Sequence, residues 1–250
     1  MTGSIVTFFR YLGSPTGETS ISLILYKTKV TTLSHDKGVM GIRSCYYVLK
    51  GDDSVPKDTF YNLSDAKKRR IFDAAVQEFS TRRFSEASIN QIVKAAGIPR
   101  GSFYQYFSGK EDIFRYMFEE IVREKREIIR LADALDPDAD VFDICIQVTK
   151  ASFEWGRSKP EYSQISMLME IDNSELITKL RAASFEGLLR MIERDKERGL
   201  IRAEIDDDLV ADMMYTLIWK QFSLFGFDEN VFLKKINDGL KIIKEGIASV

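Results

Sequence analysis

The run Ala96-Gly97-Ile98-Pro99 constrains this chain more than any other, because it leaves room for one connection: a helix stopped by glycine, then a helix begun by proline. Just before it, Ser88-Ile89-Asn90-Gln91 reads as a capping box, with Ser88 and Gln91 each expected to satisfy the other's free backbone N–H. Ile89, Ile92, Val93 and Ala96 then fall on one side of a short helix, and the pair Ala95-Ala96 lets a neighbouring helix approach. Gly97 supplies the left-handed conformation that closes it, with Ile98 as the apolar anchor. Pro99 is expected at the first position of the next helix, where its missing N–H is not needed.

At about 100° per residue, Phe103 and Phe107 lie one turn apart on that next helix and turn to the core. Gly101, Ser102 and Gln105 then occupy the opposite side, Tyr104 and Tyr106 flank it, and Arg100 projects from the helix start. A helix that meets only water is richer in Lys and Glu. Amide, hydroxyl and phenol groups are instead the chemistry that reads base edges and phosphates. Two short helices joined by a tight turn, the second polar and followed by Lys110, make a helix-turn-helix with its recognition helix second.

Upstream, Ser64 is the expected cap of a helix whose Ile71, Phe72, Ala75, Val76 and Phe79 form an apolar stripe. Lys67, Lys68, Arg69 and Arg70 crowd its first turns, against the preference of the helix dipole for acids there. Contact with phosphates would offset that cost; a solvated basic face is the alternative.

The run from Ile92 to Glu111, Ile-Val-Lys-Ala-Ala-Gly-Ile-Pro-Arg-Gly-Ser-Phe-Tyr-Gln-Tyr-Phe-Ser-Gly-Lys-Glu, is similar to the signature of the tetracycline-repressor (TetR) family, and the resemblance extends over roughly residues 64 to 115. It implies that Arg100, Gly101, Ser102 and Gln105 face the major groove of double-stranded DNA, while Tyr104, Tyr106 and Lys110 hold phosphates. Asn90 on the preceding helix would reach a base, and Lys68 and Ser88 complete the expected DNA-binding set. Pro99 departs from the serine-like cap common in the family, which leaves the orientation of the recognition helix, and hence the operator sequence, open.

Charge is partitioned accordingly. Residues 55 to 110 hold 10 Lys and Arg against 5 Asp and Glu, whereas residues 111 to 250 hold 20 against 29, although the whole chain is only at −2. A basic head joined to an acidic body suits a polyanion-binding unit on a unit that meets something else. Cys45 and Cys145 lie far apart and His35 is the single histidine, so neither a metal site, a cofactor nor a disulfide framework is expected. No apolar run is long enough to cross a bilayer and no signal-peptide pattern opens the chain, which makes the cytoplasm the expected location, with no membrane partner.

Residues 1 to 54 differ from the rest, being rich in Thr, Ser and Gly, with short β-prone runs at 21 to 26 and 45 to 49. Lys50-Gly51-Asp52 can be encoded by a ribosome-binding sequence and Val55 by an alternative start codon, so translation is expected to begin at Val55 and the preceding stretch to be a non-native extension, disordered or with a little β structure. A genuine hairpin or arm is the alternative. The expected organisation is therefore 1–54 extension, 55–110 DNA-binding domain and 111–250 helical domain, in an all-α fold.

After Lys110 a long helix runs through Ile113, Met117 and Ile121 to Leu131, broken between Asp133 and Asp140. By resemblance, its swing carries the ligand signal to the head. Val141, Cys145, Val148, Ser152 and Trp155 form one later stripe and Leu176, Leu180, Leu188 and Met191 another, closed by Arg198-Gly199-Leu200; Asp206 to Asp208 then open a further helix. No catalytic constellation is evident, so an enzyme is not expected, and Cys145 reads as a core residue.

The last two helices carry Leu209, Met213, Leu217 and Leu224, and Phe232, Ile236, Leu240, Ile243 and Ile247, with Gly239 and Gly246 available for close approach. They can pair within one chain; the resemblance implies instead a four-helix bundle across a two-fold axis, a homodimer that presents recognition helices about 34 to 36 Å apart to a palindromic operator. Phe153, Trp155, Met167, Met169, Phe185, Met191, Trp219 and Phe222 are the candidate pocket residues for a mainly hydrophobic small-molecule effector, with plain core as the alternative; Glu154 and Glu170 lie beside them. The function expected is a DNA-binding repressor released by that effector. An architectural or division-control protein of the same shape without an effector is the alternative, recognisable by dense occupancy of a genome rather than a few promoter sites.

Overall fold

The computed structural model describes residues 5–13, 19–27, 56–133, 138–225 and 228–247, with the side chains of 56–125, 138–222 and 228–247. Leu131 and Leu224 lie outside the described side chains, and His35, Cys45 and Val55 outside the described residues. The chain divides into two units, Met1–Lys37 and Gly38–Val250. In the first, β1 (Ile5–Gly13) and β2 (Thr19–Lys27) form an antiparallel hairpin in which Ile5 pairs with Lys27 and Gly13 with Thr19. The β-prone run at 21 to 26 lies within β2.

The second unit is helical throughout its described residues: α1 (Asp58–Tyr61), α2 (Asp65–Thr81), α3 (Ile89–Ala96), α4 (Arg100–Tyr106), α5 (Lys110–Asp133), α6 (Val141–Ser158), α7 (Pro160–Ile171), α8 (Glu175–Glu197), α9 (Asp207–Phe225) and α10 (Glu229–Ile247). The all-α expectation therefore describes this unit, and the hairpin belongs to the other.

Gly97 closes α3 at φ 64°, and the Ile98 N–H reaches back to the Val93 carbonyl at 3.1 Å. Gly199 closes α8 in the same way at φ 71°, with the Leu200 N–H on the Asp195 carbonyl at 2.9 Å. Both are the glycine-terminated helix ends that the sequence announces. The N-terminal caps differ from expectation. Neither Ser64 nor Ser88 makes a side-chain cap bond, and the Ser88 N–H donates to Glu78 Oε1 at 2.8 Å rather than to Gln91. Glu78 is buried on α2 and so outcompetes a side chain that water can solvate. Pro99 occupies the cap position of α4 instead of the first helical residue, its ring holding φ at −60°.

Two apolar cores form. One gathers α1 to α5 around Phe60, Phe79, Phe103, Phe107, Phe114 and Met117 and continues without a break into Tyr162, Ile165 and Met169 of α7 and Leu176, Ile177 and Leu180 of α8. The other lies among α6, α8, α9 and α10, around Val141, Phe153, Ile192, Met214, Phe232, Ile236 and Leu240. The stripe on α10 expected to face a second copy is thus largely consumed inside the chain, because Phe232, Ile236 and Leu240 face α6 and α9. Gly239 serves that internal packing: a Cβ there would lie 2.6 Å from Leu217 Cδ2, whereas nothing lies close to the corresponding point on Gly246.

Asp195 anchors the second core. It is fully buried, accepts from the Val141 N–H at 2.5 Å at the start of α6, and is matched by Arg194 at 2.7 Å and Arg198 at 3.0 Å. Removing the carboxylate takes the buried acceptor from a helix-start N–H and from two guanidinium groups, so Asp195→Ala is expected to lower stability by about 3 kcal/mol in urea unfolding.

Candidate nucleic-acid interface

The orientation of α4 is decided by its aromatic side chains. Phe103 and Phe107 are completely buried, their rings 5.4 Å apart, and Phe107 packs against Phe60 at 5.2 Å and Tyr116 at 5.8 Å. Full burial of such a ring contributes roughly 1.5–3 kcal/mol, enough to pin one side of a two-turn helix. Gly101 and Gln105 are exposed as a result, and Ser102 is half-exposed.

Tyr104 and Tyr106 sit at equal angles to the axis of the two phenylalanines, yet only Tyr104 stays outside, at 40% exposure; Tyr106 is at 5%. The difference comes from α1, which covers one flank and places Phe60 against the Tyr106 ring at 6.1 Å. This corrects the expectation that both phenols flank the outer face. The Tyr106 hydroxyl accepts from Lys67 Nζ at 3.2 Å, so its polar end joins the basic start of α2.

Arg100 links the two short helices on the outer side. Its guanidinium donates to Asn90 Oδ1 and, at 3.1 Å, to the Tyr104 hydroxyl. Asn90, Arg100 and Tyr104 therefore stand together as one exposed polar group. Gly101 has open space where a Cβ would lie, so no packing within the chain demands glycine there. Around this face, Lys68 pairs with Asp65 at 3.5 Å and Arg69 with Asp73 at 2.9 Å. The Arg69 pair is solvent-exposed and the Lys68 pair partly so; both contribute little to stability, leaving the cations available to an outside anion. Lys110 turns back, donating to the Ser85 carbonyl at 3.1 Å with its ammonium 4.8 Å from the centre of the Phe84 ring.

The sequence did not reveal α1, whose four residues are too few to show a period. Its contribution is a clamp on the end of α4: Lys57 Nζ donates to the Tyr104 carbonyl at 3.0 Å, Thr59 Oγ1 to that of Gln105, and the Lys57 N–H to that of Tyr106 at 3.0 Å. Three carbonyls without helical partners are satisfied, with a cation at the negative end of the dipole.

The proposed pocket residues do not converge. Phe153, Phe185, Met191 and Phe222 line the second core, where Phe153 stacks on Phe232 at 4.8 Å and Trp219 reaches Phe222 at 5.8 Å. Trp155 and Met169 belong instead to the core shared with the head, and Met167 is half-buried on α7. Trp155 Nε1 donates to Glu124 Oε1 at 3.3 Å on α5. Glu154 is exposed, whereas Glu170 is largely enclosed and accepts from the Tyr215 hydroxyl at 2.5 Å. Burial also pushes the Cys145 thiol up to about 12, so the thiolate is scarce near neutrality.

The sequence pattern described as bacterial regulatory proteins, tetR family, matches residues 71–117, the span from α2 into α5 that holds this surface. Over those residues the chain is similar to that family. Relatives that it matches are named HTH-type transcriptional regulators. The chain is 28% identical over 154 residues to YdgC, an uncharacterized HTH-type transcriptional regulator of Bacillus subtilis, across 60% of this chain and 76% of that one. Among solved structures, a TetR family transcriptional regulator from Chloroflexus aurantiacus superimposes with a TM-score of 0.58 at 24% identity, over 79% of this chain and all of the other. FadR from Bacillus subtilis, solved in complex with stearoyl-CoA, does so with a TM-score of 0.57 at 20% identity, over 72% and 98%. At these identities the structural likeness concerns the fold.

Burial raises the pKa of Glu170, opposed by the Tyr215 hydroxyl and by Arg181. A carboxyl whose pKa is raised on folding favours the folded state most below its ordinary value, and that contribution fades as pH rises through the folded value. Glu170→Gln is therefore expected to raise Tm at pH 7.5 and to lose that advantage near pH 4. An equal Tm difference at both pH values would contradict the assignment.

Proposed function

We propose that this chain is a tetR-family repressor that binds a palindromic operator as a homodimer in the cytoplasm and is released by a mainly hydrophobic small molecule held in the helical body. The observation that carries the DNA-reading part is the polar outer face of α4: Gln105, Gly101 and the Asn90–Arg100–Tyr104 group stand outside while both phenylalanines are sealed inside. Arg100, Gly101, Ser102, Gln105 and Asn90 are assigned to base edges, and Tyr104, Lys68, Lys110, Ser88 and the Tyr106 hydroxyl to phosphates.

Dimerisation is assigned to α9 and α10. Leu209 at 57%, Met213 at 44% and Ile242 at 70% exposure leave apolar surface open, beside a groove of about 500 Å³ lined by Asp212, Met213, Thr216, Leu217, Gly239, Ile242 and Ile243. A second copy of the same face buries such surface symmetrically. The FadR relative bound to stearoyl-CoA makes a long acyl chain the first ligand class to test. Release follows if that ligand favours an arrangement of the heads that fits the operator poorly.

Selection of duplexes from a random pool by the purified chain is expected to recover an imperfect palindrome; enrichment of no sequence would refute operator recognition. On the recovered duplex, Gln105→Ala should cost about 1–3 kcal/mol and relax preference at one base pair, whereas Lys110→Ala should weaken all duplexes alike and flatten the salt slope by about one. Ile242→Asp should leave a folded monomer in analytical ultracentrifugation; a dimer of undiminished stability would move the interface elsewhere.

A further inference from the structure

The apolar seam between head and body is broad but not directional. Phe72 of α2 meets Tyr162 of α7 ring to ring at 6.4 Å, and Ile165, Met169, Leu176, Ile177 and Leu180 join the core of the head. Such contacts resist separation, but burial of apolar surface is non-directional and does not by itself single out one register of head on body. A hydrogen bond to a buried carboxylate does fix position, since it weakens steeply with distance and angle.

One such bond crosses the seam. Asp172, just after α7, is 1% exposed. Its Oδ2 accepts from the backbone N–H of Ser85, in the turn between α2 and α3, at 2.7 Å. Its Oδ1 accepts from the Ser174 N–H at 2.8 Å, at the start of α8. From the body side Asp172 is held rigidly: Arg181 of α8 donates through Nη1 to the carbonyls of Met169, Glu170 and Asp172, the last two at 2.9 and 2.8 Å. From the head side, Ser85 passes the constraint on. Its carbonyl accepts from Lys110, the first residue of α5, and its neighbour Phe84 packs on Phe114 of α5 at 5.1 Å. Burial alone would raise the Asp172 carboxyl, but these N–H donors outweigh it and hold the carboxyl below its ordinary range, so it is ionised at neutral pH.

We infer that Asp172 is a positioning residue for DNA binding: through its bond to the Ser85 N–H, the α7–α8 corner of the body sets the register of the turn that carries α3 and α4. The inference rests on the reading of the α3–α4 face as the DNA-binding surface. The energetic link is reciprocal, so a duplex bound to the head must alter the α7–α8 corner through the same bond.

Asp172→Asn separates this role from folding. An amide offers one oxygen where the carboxylate uses two, so it can keep the local bond to Ser174 while presenting an N–H to the N–H of Ser85. The test is hydrogen–deuterium exchange on the full chain, with and without the duplex recovered by selection, together with duplex affinity by fluorescence anisotropy. In the wild type, duplex binding should change amide exchange over residues 172–180. In Asp172→Asn that change should be lost, with duplex affinity reduced at least threefold and an unaltered far-UV circular dichroism spectrum. Asp172→Glu, which keeps both oxygens, should restore part of the affinity. A variant that shows the wild-type duplex-induced change overturns the inference, as does a wild type that binds duplex without any change at 172–180. Failure of the wild type to bind any duplex would instead refute the DNA-binding reading, and the inference with it.

Discussion

The burial of Phe103 and Phe107 against Phe60 and Tyr116 is the interaction on which the rest depends. A helix of seven residues has little stability of its own, since the cost of nucleation is spread over few hydrogen bonds. Its direction is therefore imposed by what it buries. With those two rings turned inward and its last carbonyls held by Lys57 and Thr59, α4 has one face left to present, and that face carries the Arg100 group, Gly101 and Gln105.

The head is not a free module. Its core runs on into α7 and α8, and buried carboxylates act as fixed points where elements meet: Glu78 holds the start of α3, Asp172 the α2–α3 turn, and Asp195 the start of α6. Each accepts backbone N–H groups that lack a helical partner, which joins local helix ends to long-range packing. The division into a basic head and an acidic body thus overlies a mechanically continuous set of helices, the arrangement needed if a ligand in the body is to be felt at the DNA.

Much of this was legible in the residues. The glycine ends of α3 and α8 follow from Gly97 and Gly199, and the inward side of α4 from the four-residue spacing of its phenylalanines. What escaped is what depends on distant partners. Nothing local distinguishes Tyr104 from Tyr106 until α1 is placed over one of them. The capping box at Ser88 failed because Glu78, ten residues earlier, reaches the same N–H from a buried position; an acid within the apolar stripe of α2 was the available signal. Asp172 is an unremarkable acid in a loop until the fold brings Ser85 to it. The apolar stripe of α10 marks buried surface but does not reveal whether its partner is the same chain or a second copy, since both offer the same chemistry. The pocket residues are ambiguous for the same reason, and the structure divides six of the eight between two cores.

The account stands on the outer face of α4 and its basic surroundings meeting a duplex. Its most direct test is a titration of a fluorescently labelled duplex with the full chain across a series of salt concentrations. A complex whose affinity falls linearly on a logarithmic scale as salt rises is the predicted result, because Lys and Arg contacts release counterions from phosphates. No complex at low ionic strength, or one indifferent to salt, would contradict it.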